Sequence, residues 1–242
     1  MITLFPSNIL ETGTVTVTGT PDTGYPEERL WDRSGALFWR KAGAGALEFH
    51  VDQGSSVGDV DLLWVTGHNF DGEDLTWQYS DNDADWSDAV TGWTQSGNGA
   101  IAKALDAAAS HRYWRLTVTA MNDPMCGEIW MGAGSEFAVM GTPRPQEADR
   151  SNIVRQEGVG GMVSRVKLGP TRQVWDYNVR LRTAAEITSL RSALAALDGI
   201  FKPLVVKDMD GSYWLMELMS DPGIDREEPN RGYATLALLE AL

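Results

Sequence analysis

The stretch "VDLLWVTGHNF", residues 60–70, decides how this chain is read. Leu62, Leu63, Trp64 and Val65 form an unbroken apolar run with the β-branched and aromatic content of a buried strand. The run stops at Gly67, His68 and Asn69, residue types that open turns. A histidine at that point suits catalysis, metal binding or turn formation, and its possible partners decide among them.

Those partners are absent from the sequence. The chain has three histidines, His50, His68 and His111, and no two have the H-x-x-x-H or H-x-x-E-H spacing of a helical zinc site. "GAGSEF" (132–137) approaches a nucleophile elbow but lacks its last glycine, and no phosphate or dinucleotide loop occurs. Cys126 lies in a strand-like apolar segment and reads as a small buried side chain. His68 and Asn69 are therefore expected to be structural turn residues, bonding backbone groups that the turn leaves free.

Further strands lie on both sides of this stretch. "TVTVTG" (14–19), "LEFHV" (47–51), "LTWQYS" (75–80), "HRYWRLTVTA" (111–120) and "CGEIWMG" (126–132) are short, β-rich and bounded by Gly, Asp, Asn and Pro. "AIAKALDAAAS" (100–110) is the one helix-like piece. Such a series predicts an antiparallel jelly-roll β-sandwich over residues 1–141. "MGTPRPQEADRSN" (140–152) has linker character, and the linker is placed at 142–152.

Beyond it the grammar changes. "GMVSRVKLG" (161–169) and "RQVWDYNVRLR" (172–182) read as strands. Thr183 and Glu186 then match a capping box, and Ile187, Leu190, Leu194 and Leu197 form one stripe. A helix is expected over 184–198, stopped by Gly199. "KPLVVKDMDGSYWLMELM" (202–219) reads as a hairpin with a two-residue turn at Asp210-Gly211, and "RGYATLALLEAL" (231–242) as a last strand. Residues 153–242 thus predict a smaller β-barrel or sandwich with one α-helix, so the protein is mainly β.

The charge is uneven. Of a net −14, residues 1–142 carry 20 acids and 7 bases, or −13, which leaves −1 for the rest. That balance argues against direct nucleic-acid recognition, which needs clustered Lys and Arg. No apolar run approaches the ~18 residues of a membrane span, so no membrane insertion is expected. "MITLFPSNILETG" has no basic n-region, so no cleaved signal peptide is expected, and the single cysteine forms no internal disulfide.

Ligand-binding candidates are aromatic residues in loops: Tyr25 beside "PEERL", and Trp86 and Trp93 around the acidic loop. Asp81, Asp83 and Asp85 have the alternate spacing of a calcium loop, but Trp86 and Gly92 occupy the positions that need Gly and Glu. A solvated acidic loop is the preferred reading and calcium the alternative. No cofactor and no catalytic residue is expected, and a glycan hydrolase working through two carboxylates ranks third among the functions considered.

"LWDRSGALFW", "LEFHVDQGSS", "VDLLWVTGHNF", "LTWQYSDNDADW" and "HRYWRLTVTA" followed by "GEIWMG" resemble, in that order, the discoidin-like (coagulation factor 5/8 type C) jelly roll over residues 25–135. The "GHN" version is similar to modules of tailed-bacteriophage tail proteins. "VWDYNVRLR", the capped helix and "GIFKPLVVKDMDGSYWLMELM" resemble the tail-tube-type fold of phage tube and distal tail proteins. The resemblance implies a structural protein of a phage or prophage tail tip or baseplate. It would form a ring with copies of itself through the C-terminal domain and display the jelly roll outward. Implied partners are the tube, tape-measure and tail-hub proteins, and the implied location is the virion tail, assembled in the host bacterial cytoplasm. The alternative is a glycan-binding protein attaching to host cell-surface polysaccharide.

Overall fold

The computed structural model describes residues 1–140, 145–146, 153–157, 163–167, 172–198, 200–228 and 230–241. Most of the 142–152 linker, and the Gly199 expected to stop the helix, lie outside these residues. The protein is mainly β, a β-sandwich joined to a closed barrel that carries one helix.

One sheet of the sandwich has five strands in the order Thr14–Val17, Gly45–Asp52, Tyr113–Met121, Asp74–Ser80 and Ser87–Thr94. The other has three, Glu128–Gly132, Val60–Thr66 and Ile101–Ala109, and every pairing is antiparallel. Leu47, Phe49 and Val51 alternate with outward Glu48 and His50, and Trp114, Leu116 and Val118 alternate with Tyr113, Arg115 and Thr117. The buried set meets Leu63, Val65, Ile129 and Met131 from the opposite sheet. "AIAKALDAAAS", helix-like in isolation, is the strand Ile101–Ala109. Pairing with Val60–Thr66 satisfies its backbone and overrides alanine's local preference.

The barrel is built from both ends of the chain. Ile2–Phe5 pairs with Ser135–Val139 and with Leu204–Lys207. Leu204–Lys207 pairs on to Tyr213–Leu218, then Arg231–Glu240, then Val174–Leu181, which returns to Ser135–Val139. Six strands therefore close on themselves, with Ile224–Glu228 added outside on Arg231–Glu240. The first and last strands of the first sequence block thus lie in the sheet of the second. The sandwich is an insertion between the first two barrel strands.

The helix spans Ala184–Ala196. Thr183 accepts from the Glu186 N–H, and the Glu186 carboxylate caps Thr183 in return. Ile187, Leu190 and Leu197 enter the barrel core, each side chain worth about 1.5–3 kcal/mol of burial. Asp198, with φ 53°, holds the left-handed stop assigned to Gly199 from sequence. The hairpin also differs from expectation. Its connection is Asp208–Ser212, five residues, because only Gly211 takes positive φ (90°), whereas a two-residue turn of the expected type needs it twice.

Two features join sandwich to barrel. Phe5, Val205 and Leu215 from the barrel's outer face bury Leu62, Trp64 and Trp130 from the outer face of the three-stranded sheet. Beside them, Arg33, just after the 3-10 turn Glu27–Leu30, pairs with Glu11 and donates to the carbonyls of Pro6 and Pro203 (to Pro6 at 3.0 Å). Its guanidinium lies 4.7 Å from the centre of the Trp130 ring system.

Candidate functional site

The three aromatic candidates occupy different settings. Tyr25 stacks on Phe38 at 5.0 Å, with the Arg29 guanidinium 5.4 Å from its ring centre. Trp93 packs against the sandwich core, with the Lys103 ammonium 4.4 Å over its ring. Trp86, half-buried, sits at the opposite end of the sandwich from Tyr25, just before Ser87–Thr94. Only Trp86 joins a larger polar group.

That group lies on the outer face of the five-stranded sheet, where strand alternation turns every second residue outward. The Arg115 guanidinium lies 4.0 Å from the Trp86 ring centre, donates through Nε to Gln78 Oε1 at 2.8 Å, and through Nη1 to Glu48 Oε2 at 3.2 Å. Gln78 in turn donates to Asp88 at 2.7 Å. His50 contacts the edge of Trp86 and stacks on Tyr113, both at 5.8 Å between centres, and its Nε2 is 3.0 Å from Asp83 Oδ1. Alongside runs an open groove of about 450 Å³ lined by Thr18, Glu48, Asp74, Thr76, Thr117 and Thr119. Register explains the grouping, since His50 and Gln78 both pair across to Arg115, and Glu48 and Thr76 to Thr117.

Of the residues in this group the sequence singled out Trp86 alone as a ligand-binding candidate, and not His50, Tyr113, Arg115, Glu48 or Gln78. Their signal was the outward half of each alternating strand, legible only once the strands are placed side by side.

The acidic loop does not gather its carboxylates. Asp81 faces His111 at 3.0 Å, Asp83 faces His50, and Asp85 accepts from Asn82 at 2.8 Å. Asn82 Oδ1 also takes the N–H groups of Ala84 and Asp85, an Asx turn. Among the described residues no group of three His, Cys, Asp or Glu is placed to hold a metal ion.

His68 and Asn69 lie at the far end of the sandwich. The His68 ring is buried against Phe70, its Nε2 is 2.8 Å from the Gly99 carbonyl, and its Nδ1 accepts the Phe70 N–H at 3.2 Å. That pattern requires neutral imidazole with its proton on Nε2, and burial lowers the ring's pKa in the same sense. Asn69 accepts from the Met125 N–H at 2.8 Å and donates to the Asp123 carbonyl at 3.2 Å.

Two further titratable groups, Glu128 and Cys126, are buried in the sandwich. Glu128 is fully buried, accepts the Arg33 N–H at 3.0 Å through Oε2, and has no partner on Oε1. Burial, reinforced by Asp32, pushes its carboxyl well above the usual range. The buried Cys126 thiol is pushed up for the same reason.

No protein-family model matches the chain, and no curated protein matches its sequence. Among solved structures, chitosan-binding module 1 of a chitosanase/glucanase from Paenibacillus sp. IK-5 is similar at 19% identity and a TM-score of 0.44. The match covers 52% of this chain and 99% of the module. Module 2 of the same enzyme, in complex with chitotriose, is similar at 13% identity and a TM-score of 0.45, over 52% of this chain and 100% of the module. A GH29 fucosidase from Ruminococcus gnavus, in complex with fucose, is similar at 18% identity and a TM-score of 0.46, over 55% of this chain but only 28% of the fucosidase. At these identities and scores, nothing about a ligand passes from those proteins to this one.

Proposed function

We propose that this chain is a non-catalytic glycan-binding protein whose sandwich takes the sugar on the outer face of its five-stranded sheet. The observation that carries the reading is the convergence of Trp86, Tyr113, His50, Arg115, Glu48 and Gln78 beside an open, mainly apolar groove edged by threonines, Glu48 and Asp74. Pyranose rings present apolar C–H faces to aromatic rings and hydroxyls to paired donors and acceptors, and this face offers both. Arg115 takes one face of Trp86, and the ring remains partly exposed. A glycan array, followed by calorimetry on the sugars it returns, tests the proposal. Trp86→Ala is expected to weaken binding at least ~10-fold, about 1.4 kcal/mol, with its melting temperature held. An array without signal, or a Trp86→Ala variant that binds as the parent does, refutes it.

The second reading is a structural component of a phage or prophage tail tip or baseplate. One observation favours it: the sandwich is inserted between two strands of a closed barrel and fixed by a buried contact. A carrier that displays a module outward has this architecture. The barrel would then form a ring with copies of itself and meet the tube, tape-measure and hub proteins in the virion tail. Light scattering with electron microscopy of the purified chain, alone and with tail proteins, checks it. A persistent monomer in both conditions removes the reading.

A further inference from the structure

The groove beside Trp86 crosses the strands of the five-stranded sheet instead of following them. Thr18 stands at one end, just past Thr14–Val17, and Asp74 and Thr76 stand at the other, on the fourth strand of the sheet. Between them, register sets Glu48, Thr117 and Thr76 side by side, and the Thr18 N–H bonds the Glu48 carbonyl at 2.9 Å. Three gaps of about 4.8 Å between neighbouring strands make a run of roughly 14 Å. A single pyranose ring is much shorter than that. The next row of outward residues, His50, Arg115 and Gln78, runs parallel to the groove, and Trp86 stands over Arg115. Because Arg115 is on a middle strand, the indole flanks the groove's length and closes neither end. At the Thr76 end the fifth strand offers no side chain. A Cβ on Gly92 would lie 3.1 Å from the Thr76 methyl carbon, which puts that bare position on the outer face.

The lining is mainly apolar, and its hydroxyls are largely spoken for. Thr76 and Thr117 bond each other, and Thr119 donates to Glu73. The charged side chains that line the groove are Glu48 and Asp74, both acids. Glu48 accepts from Arg115 in the neighbouring row, and Asp74 accepts the Thr94 hydroxyl. A surface of this kind offers contact to apolar C–H faces along its whole length, while its carboxylates repel an anionic chain.

We infer that the groove takes an extended, uncharged polysaccharide along its length, with several sugar units in contact, and not one sugar at a chain end. This inference rests on the glycan reading of the same face and narrows it. β-1,4-linked hexopyranose chains have the required form, since each linkage keeps the chain straight and presents C–H faces, whereas α-1,4-linked chains coil. One unit would lie beside Trp86 and its neighbours would reach toward Thr18 and Thr76.

Cellohexaose and the β-1,4-linked N-acetylglucosamine hexamer are the probes, each with its shorter oligomers and its monomer, titrated calorimetrically into the full chain. Maltohexaose is the coiled control and a β-1,4-linked glucuronate hexamer the anionic one. At least one of the two probe hexamers is expected to bind, about 10-fold or more tighter than its monomer. Maltohexaose and the glucuronate hexamer should bind roughly 10-fold more weakly than that hexamer. Asp74→Asn, which keeps an acceptor for Thr94, should narrow the gap between the glucuronate and uncharged hexamers. Thr117→Arg, which puts a long side chain into the groove, should lower hexamer affinity about 10-fold. If Thr117→Arg fails to fold, the length series on the parent chain decides. A monomer or maltohexaose that binds as tightly as the hexamer overturns the inference and leaves the glycan reading in place. So does a folded Thr117→Arg variant that binds as the parent does, or Asp74→Asn without effect on the glucuronate hexamer. Failure of both hexamers while the array returns another sugar has the same meaning. An array without signal removes the glycan reading itself, and this inference with it.

Discussion

Replacing Arg33 by alanine should strongly destabilise the junction between sandwich and barrel. Its side chain is 6% exposed and that of its partner Glu11 is 20% exposed, so the pair is largely withdrawn from water. The substitution leaves the Pro6 and Pro203 carbonyls without this donor and strips the cation from Trp130. Removing one member of a buried ion pair costs about 3–5 kcal/mol. Glu11 keeps Lys202 at 3.7 Å, which places the expected loss at the lower end, ~3 kcal/mol. For a chain of this size each kcal/mol moves the melting temperature by about 2–4 °C, so a fall of roughly 6–12 °C follows. A second substitution separates side chain from backbone. Arg33 has φ 60°, a conformation that alanine tolerates poorly and glycine adopts freely. Arg33→Gly should therefore melt about 2–4 °C above Arg33→Ala although it removes the same contacts. Thermal and urea melts followed by tryptophan fluorescence measure both. An Arg33→Ala variant within about 1 °C of the parent refutes the clamp. An Arg33→Gly variant no more stable than Arg33→Ala refutes the backbone argument.

Folding stability also carries a pH signature. The folded pKa of Glu128 is raised, so its contribution is fully present below the unfolded carboxyl value and is lost as pH rises through the folded one. Glu128→Gln keeps an acceptor for Arg33 and does not ionise, so its urea midpoint should gain on the parent's as pH climbs from 4 to 8. His68 has the opposite sign. Its folded pKa is lowered, so its contribution is present above the unfolded value, about 6.5, and is lost as pH falls through the folded one. His68→Ala should cost about 1–3 kcal/mol at pH 8 and less at pH 5, read from the same urea series. Gly132→Ala would place its Cβ 2.1 Å from the Ser7 carbonyl oxygen, so the backbone must move; a loss of about 3 kcal/mol by thermal melt is expected.

How much was legible in sequence depended on whether a signal was local. The capping box at Thr183 and Glu186 was readable because helix starts are satisfied by neighbours three residues apart. The sandwich strands were readable from β-rich runs between turn residues. Ile2–Phe5 and Ser135–Val139 were not, as short segments whose place in the barrel depends on pairings with residues more than a hundred positions away. Ile101–Ala109 was hidden because alanine carries little strand preference, and its neighbour Val60–Thr66 supplies the reason for it to be a strand. At the candidate site, Trp86 was visible as an aromatic residue in an acidic loop. His50 and Arg115 were not, because they are 65 residues apart in sequence and meet only through strand register.

The opening stretch also determines which face of the sandwich is free. Gly45–Asp52 alternates buried and half-exposed residues, as a strand with one wet face does, whereas Leu62 to Val65 are all buried. An unbroken apolar strand in an antiparallel sheet needs cover on both sides. Leu63 and Val65 turn into the sandwich core, while Leu62 and Trp64 turn outward and are covered by Phe5, Val205 and Leu215 of the barrel. The barrel therefore occupies the outer face of the three-stranded sheet. The outer face of the five-stranded sheet, with Trp86, His50 and Arg115, points away from it. Replacing Trp64 by a charged residue would place that charge in the buried contact and should detach the sandwich from the barrel before it unfolds either. Limited proteolysis at the Pro6–Ser7 tether, faster in Trp64→Glu than in the parent while both cores stay protected, is the expected result. Equal cleavage rates would show that the two tethers and Arg33 hold the modules together without the apolar contact.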